Sequence, residues 1–224
     1  MIKLGNNSIG KIYLGSNSIG KAYLGSNLVF QKGGGSLLPD GFTQLSYVGT
    51  DSTAYLDTGV AGATDLEVIC KFLVGTYIQY GAIYGNYKSE SYKVNRAIIA
   101  SQTSLYVAGG NNLAQEVAGF SLNQVHTLSV KNTEAVLDGT TTAIASSSQS
   151  TNTDNICLGA NNVSSPTNRD IGLRIYSFEI KKNGTTVLNL VPAKRDSDDA
   201  VGFYDLVSNT FKVSSSSVPF TPGQ

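Results

Sequence analysis

The clearest alternation of apolar and polar residues in the chain runs from Leu66 to Val74. Leu66, Val68, Cys70, Phe72 and Val74 recur at a period of two, the spacing of a β-strand with one buried face. Ile69 and Leu73 sit on the opposite face, so that side is not fully wet, and the segment predicts a central strand of a sandwich. Shorter apolar runs predict strands over 45–48, 54–58, 97–100, 104–108 and 126–131. Two dipeptides predict hairpins. Asp138-Gly139 separates Ala135-Val136-Leu137 from Thr140-Thr141-Thr142-Ala143-Ile144, and Asn183-Gly184 separates 173–182 from 185–191. Both suit the two-residue turn whose twist matches paired strands. Many short strands at this spacing predict an all-β fold, a sandwich or jelly roll.

The first thirty residues follow a different rule, a repeat with a period of ten. Leu4-Gly5-Asn6-Asn7-Ser8-Ile9-Gly10-Lys11 is followed by Leu14-Gly15-Ser16-Asn17-Ser18-Ile19-Gly20-Lys21 and then by Leu24-Gly25-Ser26-Asn27-Leu28-Val29-Phe30. Tyr13 and Tyr23 occupy matching places. The Gly-Asn-Asn and Gly-Ser-Asn triplets tolerate positive φ and predict tight turns. The product is a small meander or a few coils of a β-solenoid. Such a piece cannot bury a core alone. Gln31-Lys32-Gly33-Gly34-Gly35-Ser36 then reads as a flexible linker. Three segments result: a β-repeat over 1–31, a Gly-rich linker over 32–36 and a sandwich over 37–224. Detached by its linker, the repeat is expected to anchor or oligomerise the chain through Leu4, Ile9, Tyr13, Leu14, Ile19, Tyr23, Leu24, Val29 and Phe30. The partners are copies of itself or a larger assembly; the repeat folding back on its own domain is the lesser alternative.

Composition removes some function classes. Sixteen Lys and Arg balance sixteen Asp and Glu, and no basic run exceeds Lys181-Lys182. A nucleic-acid binder needs a basic face to neutralise phosphates, so none is expected. No apolar run approaches the roughly 20 residues that span a bilayer, so no membrane insertion is expected. The start, Met1-Ile2-Lys3-Leu4-Gly5-Asn6, lacks the apolar stretch of a signal peptide, so synthesis in a cytoplasm is expected. Cys70 and Cys157 sit in strand-like apolar contexts and read as two buried free thiols; a disulfide between them is the lesser alternative.

Several stretches resemble a known family. Leu38-Pro39-Asp40-Gly41-Phe42-Thr43-Gln44-Leu45-Ser46-Tyr47-Val48 and Ala54-Tyr55-Leu56-Asp57-Thr58-Gly59 resemble the opening of a concanavalin A-like (laminin G-like) domain of phage and prophage proteins. The close is the more specific match. It comprises Arg174-Ile175-Tyr176-Ser177-Phe178-Glu179-Ile180, Leu190-Val191-Pro192-Ala193-Lys194-Arg195 and Val201-Gly202-Phe203-Tyr204-Asp205-Leu206-Val207-Ser208-Asn209-Thr210-Phe211. The likeness covers about 38–220, and the N-terminal repeat looks like leaders on virion proteins of gut phages. The resemblance implies a two-sheet antiparallel jelly-roll sandwich on a bacteriophage particle, made in the bacterial host cytoplasm. It implies a head fibre, tail fibre or decoration protein. The implied partners are sister chains in a homo-oligomer, a trimer by analogy with fibres, together with capsid or tail proteins and a host-surface glycan. One fold hosts many functions, so which glycan or receptor is bound is not implied.

Candidate chemistry is sparse. His126 is the only histidine, and no nucleophile and orienting acid stand near it in sequence, so it reads as structural. Asp196-Ser197-Asp198-Asp199 lacks the alternation and late Glu of a calcium loop and reads as a solvated turn, with a calcium ligand set the lesser alternative. No strand carries the paired acids of a glycosidase. No catalytic residue, metal site or cofactor is therefore expected, and a glycan hydrolase is the weakest alternative. Tyr77, Tyr80, Tyr84 and Tyr87, with Asn86, form the candidate ligand surface, since tyrosine offers a flat apolar ring and a hydroxyl. Ordinary half-buried sheet positions are the competing reading of the same residues. A carbohydrate-binding receptor module of a tail fibre is the alternative function.

Overall fold

A computed structural model of the 224-residue chain describes residues 37–50, 53–86, 95–109, 115–145, 152–161 and 171–223, and the backbone alone of the strands outside those ranges. The chain divides into two compact units, Met1–Pro39 and Asp40–Gln224.

The first unit holds three hairpins: β1 (Lys3–Leu4) with β2 (Asn7–Ser8), β3 (Ile12–Leu14) with β4 (Asn17–Ile19), and β5 (Lys21–Leu24) with β6 (Asn27–Gln31). Leu4 pairs with Asn7, Leu14 with Asn17 and Leu24 with Asn27, so the period of ten in the sequence returns in the pairing. Two residues separate the partners each time, and the asparagine of each triplet begins a strand instead of completing a turn. The hairpins are separate sheets, so the expected meander or solenoid does not form among the described residues. Gly10 and Gly20, poor strand formers, stand in sequence between successive hairpins. Leu4, Tyr13, Leu14, Ile19, Tyr23, Leu24, Val29 and Phe30 are strand residues, whereas Ile9 lies outside the described residues. The contacts expected of their side chains lie outside them as well.

The second unit is an all-β sandwich of two antiparallel sheets. It opens with β7 (Phe42–Gln44), β8 (Val48–Thr50), β9 (Leu56–Ala61) and β10 (Leu66–Val74). Next come β11 (Gly81–Gly85), β12 (Tyr92–Lys93), β13 (Arg96–Ile99), β14 (Leu105–Ala108) and β15 (Gln115–Val117). The middle holds β16 (Val125–Val130), β17 (Glu134–Leu137), β18 (Thr140–Ala143), β19 (Ser150–Thr151) and β20 (Asn155–Leu158). The close comprises β21 (Leu173–Lys182), β22 (Thr185–Arg195), β23 (Val201–Asp205), β24 (Thr210–Lys212) and β25 (Thr221–Pro222). The larger sheet runs β18-β17-β16-β10-β21-β22-β23-β24, with β8 also on β21, β25 on β8 and β7 on β22. The smaller runs β15-β14-β13-β11-β20-β9. The chain enters the smaller sheet three times, at β9, between β11 and β15, and at β20, and returns each time to the larger, giving a jelly-roll-like interlock.

Burial follows the alternation. Leu66, Val68, Cys70, Phe72 and Val74 are each at most 3% exposed, and Ile69 and Leu73 are half-buried. From the facing sheet Ile83, Tyr84, Ile99, Leu105, Ile156 and Leu158 fill the same core. Removing side chains of this size from water stabilises the fold by roughly 1.5–3 kcal/mol each. Both predicted hairpins form. Leu137 pairs with Thr140 across Asp138 (φ 49°) and Gly139 (φ 88°), and Lys182 pairs with Thr185 across Asn183 (φ 50°) and Gly184 (φ 77°). The strand expected over 45–48 is replaced by β7 and β8 on either side. β7 pairs with β22 and β8 with β21, so the chain between them steps across the sheet.

Candidate functional site

Strand β13 alternates its side chains between the two faces of the smaller sheet. Ala97 and Ile99 enter the core, which leaves Arg96 and Ile98 on the outer face. On β14, Tyr106 lies directly opposite Ile98 and is half-buried. The turn ahead of β11 brings Gln79 and Tyr80 to the same face. These residues and Ala100 line a groove of about 270 Å³. That volume lies just below the range for ligand sites, roughly 300–1,000 Å³. Tyr80 is 53% exposed, the most exposed of the large hydrophobic side chains among the described residues. Its backbone stands at φ 63°, a left-handed conformation in which a bulky aromatic is a genuine outlier. The Tyr80 amide donates to the Ile99 carbonyl at 2.8 Å and the Gly81 amide to the Ile78 carbonyl at 3.0 Å, and these bonds hold the turn. Beside the groove, Glu116 accepts hydrogen bonds from Ser104 Oγ at 2.5 Å and from the Tyr106 hydroxyl at 3.4 Å, so the Tyr106 ring is oriented.

Of the tyrosine cluster expected from sequence, only Tyr80 among the described residues lines this groove. Tyr77 is half-buried against the core, and its hydroxyl donates to the Ala100 carbonyl at 3.0 Å, which supports the groove from beneath. Tyr84 is fully buried, packed edge-on against Phe178 with ring centroids 5.8 Å apart. Asn86 is also fully buried. Its Nδ2 donates to the carbonyls of Asn152 at 3.0 Å and Asp154 at 3.1 Å, and its Oδ1 accepts from the Asn95 amide at 2.9 Å. Asn152 Nδ2 in turn donates to the Asn86 carbonyl. Tyr84 and Asn86 thus belong to the interior. Tyr87 lies outside the described residues. Gln79, Arg96, Ile98 and Tyr106 line the groove without having been among the residues expected from sequence. The signal was present: Arg96-Ala97-Ile98-Ile99 ends at a polar turn, and Tyr106 falls opposite Ile98 when the two strands close as a hairpin.

No known family model matches the chain, and no curated protein matches it.

His126 is 1% exposed and lies between Phe72 and Phe120, at centroid distances of 5.9 and 5.3 Å. Its Nδ1 donates to Asp138 Oδ2 at 2.6 Å. An acid partner does therefore stand beside it, twelve residues away in sequence, where none was expected. The other ring nitrogen meets the backbone of Ser121, with the amide at 3.2 Å and the carbonyl at 2.9 Å, instead of a nucleophile. Partial burial pushes the Asp138 carboxyl up, but the Thr127 amide and His126 outweigh it and hold Asp138 below the usual aspartate range.

The loop over 196–199 is a turn laced by polar contacts. Thr43 Oγ1 donates to Asp196 at 2.7 Å, Arg195 forms a two-pronged pair with Asp198 at 2.6 and 2.9 Å, and Lys194 meets Asp199 at 2.7 Å. Among the described residues no group of three or more His, Cys, Asp or Glu side chains is placed to hold a metal ion. Cys70 and Cys157 are both buried free thiols. Burial, with a smaller contribution from Asp57, pushes Cys157 up to about 12.

Proposed function

We propose that this chain is a non-enzymatic attachment protein of a bacteriophage particle, whose sandwich presents a shallow sugar-binding groove to the host surface. The observation that carries the reading is Tyr80. A half-exposed aromatic held at φ 63° over a groove is conformationally costly, and such outliers concentrate at ligand sites. Tyr80 and Tyr106 offer ring faces for the apolar side of a pyranose. Gln79 and Arg96 offer donors for its hydroxyls. The described carboxylates beside the groove support binding over bond cleavage, because Glu116 is spent on Ser104 and Tyr106 and no second acid lines the groove. The placement on a virion rests on the concanavalin A-like resemblance and on the decapeptide repeat, whose hairpins suit an anchoring or oligomerising segment.

A glycan array probed with the full chain and with Tyr80→Ala tests the reading. Binding to a set of neutral glycans, lost in the variant with an unchanged melting temperature, supports it. Release of sugar from any bound glycan, or binding indifferent to Tyr80, overturns it. Antibody labelling of intact particles tests the virion placement.

A further inference from the structure

The outer face of the larger sheet carries a second cluster that the reading above does not use. At the β10–β21 pairing, Lys71 lies opposite Ser177 and Phe72 opposite Ile175, so Tyr176 is the extra residue of a β-bulge. A bulge re-aims side chains. Here it leaves Tyr176 and Ser177 half-buried between the buried Ile175 and Phe178. Tyr176 meets Tyr47, with ring centroids 5.6 Å apart at 55°. Each ring carries a cation. The Arg174 guanidinium stands 5.0 Å from the Tyr47 centroid and the Lys71 ammonium 5.9 Å from that of Tyr176. Both cations are exposed, and neither pairs with a carboxylate among the described residues. The acids on the same face are engaged elsewhere: Glu67 accepts from Ser129 at 2.8 Å, and Glu179 accepts from Thr186 at 2.7 Å with Lys181 nearby. A groove of about 350 Å³ opens beside the cluster, lined by Tyr47, Arg174, Thr76, Thr221 and the backbone of Gly49 and Gly75.

We propose that this face is a second binding site, for a negatively charged sugar of the uronic-acid type. A guanidinium stacked on a ring keeps its N–H edges free, and those edges match a carboxylate with two parallel hydrogen bonds. The second cation, Lys71, adds charge that no carboxylate pairs with among the described residues. The tyrosine pair supplies the flat apolar surface that a pyranose ring covers. A nucleic acid fits less well, because two cations on a chain of zero net charge neutralise few phosphates.

The site is independent of the Tyr80 groove, and the test keeps the two apart. The full chain is titrated calorimetrically with an oligo-uronate, a neutral oligosaccharide of equal length and a single-stranded oligonucleotide. The oligo-uronate binds, weakens with added salt, and loses roughly tenfold or more in affinity in Arg174→Gln and in Tyr47→Ala. Tyr80→Ala and Arg96→Gln leave that affinity unchanged. Arg174 is exposed, so its variant keeps the melting temperature; Lys71→Gln, expected to weaken binding in the same direction, serves as the second variant. The proposal is overturned if the oligo-uronate does not bind, or if Arg174→Gln and Lys71→Gln both bind it as the parent does. It is equally overturned if, in the Tyr80→Ala background that removes sugar binding in the other groove, the neutral sugar or the oligonucleotide matches the oligo-uronate.

Discussion

His126 Nδ1 and Asp138 Oδ2 lie 2.6 Å apart, and this contact ties a buried ring to the tip of the β17–β18 hairpin. Asp138 works twice there, since its Oδ1 also accepts the Thr127 amide at 2.7 Å. The pair fixes strand against turn, and its chemistry makes stability depend on acid.

Asp138 holds its proton more weakly in the folded chain than the ordinary aspartate value of 3.8. Acid therefore favours the unfolded chain. The contribution is whole above that ordinary value and is lost as the pH falls through the lower folded one. Asp138→Asn keeps the size and tolerates the positive φ, but loses the charge. At neutral pH it is expected to cost about 1 kcal/mol, the half-exposed carboxylate being screened by water. The gap between variant and parent closes as the pH drops below the aspartate range. Urea melts across pH measure both curves; a gap that stays constant in acid contradicts the assignment.

Tyr84 gives a prediction of opposite sign. Its hydroxyl is buried with no hydrogen-bond partner among the described residues, and burial, helped by Cys70, pushes its pKa well above the tyrosine norm. A buried donor without a partner is unfavourable, so Tyr84→Phe is expected to stabilise by up to about 1 kcal/mol. A loss of melting temperature in Tyr84→Phe points to a hydrogen bond that the hydroxyl does make.

Asn86 is the contrasting case. Its amide nitrogen faces two carbonyls, at 3.0 and 3.1 Å, in a fully buried setting. Asn86→Asp puts an acceptor against two acceptors and is expected to cost roughly 3 kcal/mol or more. Equilibrium unfolding measures it. A near-neutral Asn86→Asp shows that the pocket admits water or rearranges.

What was legible in the chain follows from the range of the interactions. The β10 alternation and the Asp138-Gly139 and Asn183-Gly184 turns are local, so Leu66–Val74 and both hairpins could be read directly. Strand β11 could not, because Gly81-Ala82-Ile83-Tyr84-Gly85 is rich in glycine, which weakens strands. The glycines are there for space. A Cβ on Gly81 would lie 2.2 Å from Ile171 Cγ2, and one on Gly85 3.0 Å from Asn161 Oδ1, both contacts from distant sequence. The candidate surface was half legible for the same reason. Tyr80 is exposed by its own turn, whereas Tyr84 and Asn86 are drawn inside by Phe178, Asn95 and Asn152, partners at long range.

The two thiols predict silence toward reagents. Only the thiolate reacts, and both sulfurs are buried with raised pKa values. Neither Cys70 nor Cys157 is expected to take up an alkylating agent in the native chain at mildly alkaline pH, and both are expected to react after denaturation. Mass spectrometry counts the adducts; rapid native labelling of either site shows that the interior opens there.

Tyr80 sets stability against binding. Its φ of 63° lies where a bulky side chain is strained, at a cost on the order of 1 kcal/mol. Asparagine adopts that conformation readily, and it avoids the extra unfolded-state freedom that glycine brings. Because Tyr80 is 53% exposed, its ring loses little burial when removed. Tyr80→Asn is therefore expected to raise stability by roughly 0.5–1 kcal/mol while abolishing glycan binding in the groove. Thermal melts and the glycan array read the two effects separately. A variant that is less stable than the parent shows that Tyr80 is held by packing, and its strain then carries no message about a ligand. A variant that is more stable and still binds shows that the strain sits beside the site without serving it. Only the combination of gained stability and lost binding matches a residue kept in an unfavourable conformation for the surface it presents.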